Sequence, residues 1–219
     1  MNTPGLHPAT LILGGTFDPV HFGHLRAAAE LYEQLQVDDF RMLPAGQPPH
    51  RGRTQASASD RLHMLKLALR AHPGIRLDDC EIRREGPSYM IDTLRQLRAA
   101  IGARRPLLLA LGQDAANQLA RWHRWQELPQ LAHLAIMTRP DNPPAYQGEL
   151  AAVLQPRCIA DSEQLWSLPA GLVLHLPITE LAISSTDIRA QIAAGRDPAF
   201  LLPASVLAYI REQGLYQAG

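Results

Sequence analysis

Two histidines three positions apart, His21 and His24, stand in the segment LILGGTFDPVHFGH, with Gly23 between them and the pair Gly14-Gly15 before them. Imidazole donates hydrogen bonds and takes up a proton near neutral pH, so two of them suit a place where negative charge accumulates. Far along the chain a second run, Ile183-Ser184-Ser185-Thr186-Asp187-Ile188-Arg189, offers hydroxyls and a guanidinium at the start of a helical pattern. Hydroxyls, free backbone N–H groups and arginine together clamp a polyphosphate. The same serines and threonine also read as simple helix caps. The histidine pair lacks cysteine or carboxylate co-ligands at close spacing, so phosphate contact is favoured over metal ligation and no metal-binding residue is assigned.

These groups need elements to aim them. Leu11-Ile12-Leu13 is too short for a helix and fits a buried strand, and Gly14-Gly15 read as a turn that lets backbone approach a ligand. Leu25, Ala28, Ala29, Tyr32 and Leu35 fall at helical spacing, which predicts a helix from about His24 whose free N–H groups face the strand's end. Strand, glycine turn and helix start make an anion site. It is not a P-loop, since no lysine followed by serine or threonine comes after the glycines, and there is no GxGxxG. Further strands are expected at Leu107 to Leu111 and Leu134 to Met137, and others at Phe40 to Leu43, Ile75 to Leu77 and Leu172 to Leu176. Leu62, Leu65 and Leu69 mark one intervening helix, and Ile91, Leu94 and Leu97 mark another. The alternation predicts an α/β fold: a Rossmann-like open parallel sheet with helices on both faces, its ligands beyond the strands' C-terminal ends.

The chain has 219 residues, enough for a sizeable core in a single domain. Lysine plus arginine number 21 and aspartate plus glutamate 21, so an extended nucleic-acid footprint is not expected. No run reaches the length of a membrane span, and the opening MNTPGLHPAT has neither a basic start nor an apolar signal core, which points to the cytoplasm. Cys80 and Cys158 show no CxxC spacing and read as idle thiols. Asp18 reads as a turn residue or as a direct participant, and Asp92 as a helix-start stabiliser or a substrate contact.

The segment GGTFDPVHFGH resembles the first signature of the HxGH nucleotidyltransferases, and ISSTDIR resembles the second. Between them Pro48-Pro49-His50-Arg51 is similar to the PPHK loop of bacterial nicotinate-nucleotide adenylyltransferases. Ser88-Tyr89-Met90-Ile91-Asp92-Thr93-Leu94 is similar to their SYTIDTL segment, Gly112-Gln113-Asp114 to their GxD turn, and Trp122 to their pyridine-stacking tryptophan. The ending, Leu201-Leu202-Pro203 to Gly214-Leu215-Tyr216, also matches, so the likeness spans the chain. Arg51 stands where lysine is usual and Met90 where threonine often stands; a contact made through the backbone N–H of position 90 survives that change.

The resemblance implies an adenylyltransferase of NAD biosynthesis, joining ATP to nicotinate mononucleotide and releasing pyrophosphate, with magnesium carried by the ATP phosphates. His21, His24 and Arg189 would be catalytic. ATP and its phosphates would meet Gly14, Gly15, Thr16 and Phe17, then His50, Arg51, Gly112 and Asp114, and finally Ile183, Ser184, Ser185 and Thr186. The pyridine nucleotide would meet Gly15, Tyr89, Met90 and Asp92, with Trp122 and His123. The C-terminal helices, from about 184 to 219, would pack on the sheet and close the ATP site. Trp122 and Trp125 are expected on one helix, Trp125 in the core. A relative using nicotinamide mononucleotide or pantetheine phosphate, or a nucleotide-binding module without turnover, remains an alternative.

Overall fold

Strand β1, His7–Gly15, is longer at both ends than its apolar centre predicts, because its polar start is paired as well. The Thr10 hydroxyl donates to Asp39 Oδ2 at 3.1 Å across the sheet, and Arg41 binds the same carboxylate from two residues along β2, Val37–Pro44. Burial alone raises a carboxyl pKa; at Asp39 the hydrogen bonds from Arg41 and Thr10 outweigh it and hold the group below the usual carboxylate range. At its other end β1 keeps its ladder through Gly14, opposite Leu43, and Gly15, opposite Pro44. The glycine pair therefore ends a strand and is not a turn. The chain turns one residue after Thr16, at Phe17, with φ 51°.

The computed structural model describes residues 5–48, 54–138 and 143–217. Among these, α1 (Phe22–Leu35) follows β1, and α2 (Ala58–Leu69) follows β2. Then come β3 (Ile75–Leu77), α3 (Cys80–Arg83), α4 (Met90–Ile101), β4 (Leu107–Gly112) and α5 (Gln113–Asn117). After α6 (Leu128–Leu131), β5 (His133–Thr138), α7 (Gly148–Leu154), β6 (Cys158–Ile159) and β7 (Val173–Pro177), the chain ends in α8 (Ser185–Ala193) and α9 (Ala204–Glu212). β6 was not expected: two residues are too few to show a period.

The strands pair in parallel in the order β3-β2-β1-β4-β5-β7-β6. The order reverses between β1 and β4, and in such sheets that reversal opens a crevice at the C-terminal strand ends. Successive residues serve opposite faces, as the pleat requires. Leu11 and Leu13 pack with Leu31 of α1 and Met64 of α2, while Ile12, Leu107 and Leu109 pack with Ile91 and Leu94 of α4. Each such buried leucine stabilises the fold by roughly 1.5–3 kcal/mol relative to exposure. The C-terminal helices join the first of these cores through Ile188, Val206 and Ile210. The Tyr209 hydroxyl also ties α9 to Asp60 of α2, at 2.8 Å.

Candidate active site

His21 is the N-cap of α1, with extended backbone (φ −145°, ψ 172°), so the helix starts at Phe22 and both histidines sit at its head. Their rings lie 3.7 Å apart between centroids. The His21 backbone N–H donates to Nδ1 of His24 over a long 3.4 Å, which leaves the proton of a neutral His24 ring on Nε2. Phe17 meets His24 edge-on at 5.0 Å. His21 is 5% exposed, and burial lowers its pKa to about 4. At neutral pH it is an uncharged donor, and its Nδ1 is buried with no hydrogen-bond partner among the described residues. In this state its contribution to an anion is a hydrogen bond, not a full charge.

The glycine of the motif has a steric cause. A Cβ at Gly23 would stand 3.0 Å from Cε1 and Nδ1 of His21 and 3.5 Å from the carbonyl oxygen of Ile183. Gly23 thus lets the imidazole lie against the helix start, while the carbonyl of the second motif stands at ordinary contact distance beside it. Gly15 acts similarly: a Cβ there would meet the Phe17 ring at 2.7 Å. These glycines make room for the protein's own groups.

Two bonds from α8 tie the second motif to the turn after β1, and others order it internally. Ser185 donates from its hydroxyl to the Pro19 carbonyl at 2.9 Å. Arg189 donates from Nη1 to the Asp18 carbonyl at 2.6 Å and from Nη2 to the Thr186 hydroxyl at 3.4 Å, leaving Nε buried with no partner among the described residues. Ser184 is the N-cap: its hydroxyl accepts from the Asp187 N–H at 3.1 Å and donates to the Asp187 carboxylate at 2.7 Å. Ser184 and Thr186 are exposed, and Ile183 is half-buried.

Asp18 is buried, and its carboxylate accepts from the N–H groups of Gln55 (3.0 Å) and Ala56 (3.2 Å) and from the Tyr216 hydroxyl (2.7 Å). All these partners belong to the protein, so Asp18 ties loops together. Arg61 went unnoticed in the sequence, where it reads as a surface residue of α2. It has no exposed surface and donates to the carbonyls of Thr16, Ala45 and Gly46. Its only local signal is a charge on the helix's apolar side, next to Leu65. His50 and Arg51 lie outside the described residues.

Across the crevice, Ser88 accepts at Oγ from the N–H groups of Gly46 and Gln47, both at 3.0 Å, and so attaches the start of α4 to the loop after β2. Tyr89 caps α4 and packs its ring 4.4 Å from that of exposed His123. Met90 reaches back over the end of β1, where its Cε would lie 3.0 Å from a Cβ on Gly14. Asp92 sits in the first turn of α4, 3.7 Å from Arg95. Gly112 caps α5, and Asp114 is exposed on its first turn. Trp122 and Trp125 do not share a helix. Leu119–Arg121 and Trp125–Glu127 are separate 3-10 turns, broken by extended Trp122 (ψ 145°) and left-handed Arg124 (φ 54°). Trp125 is core, and Trp122 is half-buried against the same cluster.

A helix-headed anion mouth at the switch point of a parallel sheet, faced by a second helix start, defines a nucleotide-handling α/β protein of the nucleotidyltransferase class. Residues 12–191 match the cytidylyltransferase-like family. A Marinobacter nauticus protein named probable nicotinate-nucleotide adenylyltransferase is 47% identical over 208 residues, covering 95% of this chain and 96% of that one. A protein of the same name from Hahella chejuensis is 44% identical over 213 residues, covering 97% of each. The structure of a Plasmodium falciparum nicotinic acid mononucleotide adenylyltransferase complexed with NaAD superposes with a TM-score of 0.73 at 17% identity, over 96% of this chain and 98% of that one, a likeness of fold. The chain belongs to the cytidylyltransferase-like family and, within it, to the nicotinate-nucleotide adenylyltransferases.

Proposed function

We propose that this protein transfers the adenylyl group of ATP to nicotinate mononucleotide, giving nicotinate adenine dinucleotide and pyrophosphate. The observation that carries the reading is the meeting of the two motifs at Gly23, where the His21 ring crowds the place of a side chain and the Ile183 carbonyl stands in contact beside it. A phosphate oxygen of the mononucleotide attacks the α-phosphorus of ATP in line; the new P–O bond forms as the bond to the pyrophosphate oxygen breaks. The attacking oxygen is already an anion, so alignment and charge stabilisation carry the catalysis. His24, through Nε2, and His21 donate to the α-phosphate as charge spreads over it. The free N–H groups at the head of α8, the Thr186 hydroxyl and Arg189 hold the departing pyrophosphate, with α8 and α9 closing that side. The pyridine ring lies on Trp122, its carboxylate toward backbone N–H groups near Met90 and His123.

Magnesium enters this reading with the substrate, and it supplies charge neutralisation across the phosphates. Magnesium commonly needs only one or two carboxylates besides phosphate oxygens and water, so the phosphates it arrives with would be its chief ligands. The free thiols Cys80 and Cys158 are in keeping with a reducing cytoplasm. The test is to incubate the protein with ATP, magnesium and nicotinate mononucleotide, nicotinamide mononucleotide or phosphopantetheine, and to follow pyrophosphate and product mass. Preference for the acid over the amide by about tenfold to a hundredfold is expected from one hydrogen bond to the charged carboxylate. Equal efficiency with both mononucleotides would remove the nicotinate assignment.

A further inference from the structure

Arg61 is buried beneath the mouth with three neutral partners. Nη1 donates to the carbonyls of Thr16 at 2.8 Å and Ala45 at 2.6 Å, and Nη2 donates to that of Gly46 at 3.0 Å. A trans peptide sets its C=O and N–H on opposite sides, so each carbonyl turned down to Arg61 turns the next N–H the other way. Two of the three peptides show the result directly: the N–H groups of Gly46 and Gln47, which follow Ala45 and Gly46, both meet Ser88 Oγ on the far side. The third is the trans peptide between Thr16 and Phe17. Its N–H is turned away from Arg61 by the same rule, and it meets no backbone acceptor among the described residues.

We propose that Arg61 is a positioning residue, which turns the Thr16–Phe17 peptide so that the Phe17 N–H faces a phosphate of bound ATP. A purely structural role accounts poorly for the arrangement. Burying a cation whose hydrogen-bond partners are all neutral carbonyls, with Nε unpartnered among the described residues and the Asp18 carboxylate acting on it through space without a hydrogen bond to it, disfavours folding compared with a well-packed apolar side chain. An anion arriving one residue away offsets that burden. The inference rests on the proposed use of ATP but is tested apart from turnover.

Arg61→Lys keeps the charge and loses the fork that spans three carbonyls. The measurements are ATP affinity by calorimetry with magnesium and no acceptor, kcat and KM per folded molecule, and the 1H–15N resonance of the Phe17 amide during ATP titration. The expected result is ATP binding at least tenfold weaker in Arg61→Lys, a kcat reduced at least as much, and a Phe17 amide that responds to ATP in the parent but not in the variant. A variant with a lower Tm but parental affinity and kcat would make Arg61 structural and overturn the proposal. If Arg61→Lys does not fold, the parent decides alone: a Phe17 amide indifferent to saturating ATP overturns it, and a shifted one supports it. A parent that binds ATP through Phe17 but forms no dinucleotide would sink the proposed function and leave this inference standing.

Discussion

Around Asp18, groups from positions 55, 56, 189 and 216 converge on one turn, whereas around Trp122 the chain passes through two short 3-10 turns and leaves His123 open to solvent. On the proposed reading, in which one side of the crevice takes phosphates and the other the pyridine ring, the two sides meet different physical demands. Phosphoryl chemistry gains from dipoles that are already aimed when charge develops, and every hydrogen bond that fixes a loop there removes reorganisation from the barrier. Recognition of a flat ring needs an apolar surface more than a fixed one, and half-buried aromatics provide it. The phosphate side should therefore be sensitive to small displacements and the ring side tolerant of them.

The largest test of that contrast is pH. Burial holds the folded His21 pKa at about 4, against about 6.5 in an unfolded chain. Between those values the unfolded state binds a proton that the folded state refuses, so stability is fully present above about pH 6.5 and falls as pH drops toward 4. The total is about 3 kcal/mol, from about 1.4 kcal/mol per pH unit. Thermal unfolding of the parent and of His21→Asn across this range should show the variant losing less stability; parallel curves would mean that His21 is not the titrating group.

Next comes His24→Ala, expected to lower kcat roughly a hundredfold or more while moving KM less, as when an electrostatic stabiliser is removed. Near-normal kcat with a raised KM for ATP would place His24 in ground-state binding. Gly23→Ala should follow. Its methyl must displace the His21 ring by a few tenths of an ångström, and a fall in kcat on the order of tenfold is expected when reacting groups are misplaced by a fraction of an ångström. A variant with full kcat would show the mouth to be compliant. The smallest effect belongs to the ring side: Trp122→Ala should weaken the mononucleotide by about twofold to tenfold, from roughly 0.5–1.5 kcal/mol of aromatic contact. KM for ATP should stay unchanged. An unchanged mononucleotide KM would return Trp122 to the core.

Sequence patterns foretell what is local. The strand through Leu11, the helix after Gly23 and the capping start of α8 can be read from neighbouring residues, and the structure has them within a few positions. What escaped depends on distant partners. Asp39 lies before the strand expected from Phe40 until Arg41 and Thr10 accept it into β2, and Arg61 reads as surface until three carbonyls from the segments just after β1 and β2 surround it. The stretch from Trp122 to Trp125 has helical spacing, but Arg124 takes a left-handed conformation that spacing cannot reveal. The site is legible in the same measure. His21, Gly23 and His24 announce themselves by type and interval, while the work of Asp18 appears only with Tyr216 in place.

The bond from the Tyr216 hydroxyl to Asp18 spans 198 positions, and it closes over the same turn that Arg189 grips from α8. During synthesis, the sheet strands and both histidines emerge from the ribosome long before position 216 does. A nascent chain can thus pair β1 with β2 and wind α1 while its phosphate mouth still lacks a fastening. Only when the last helix has been released and docked is the turn at Asp18 gripped from every side, so a chain stalled before that point carries the histidines but not their finished setting.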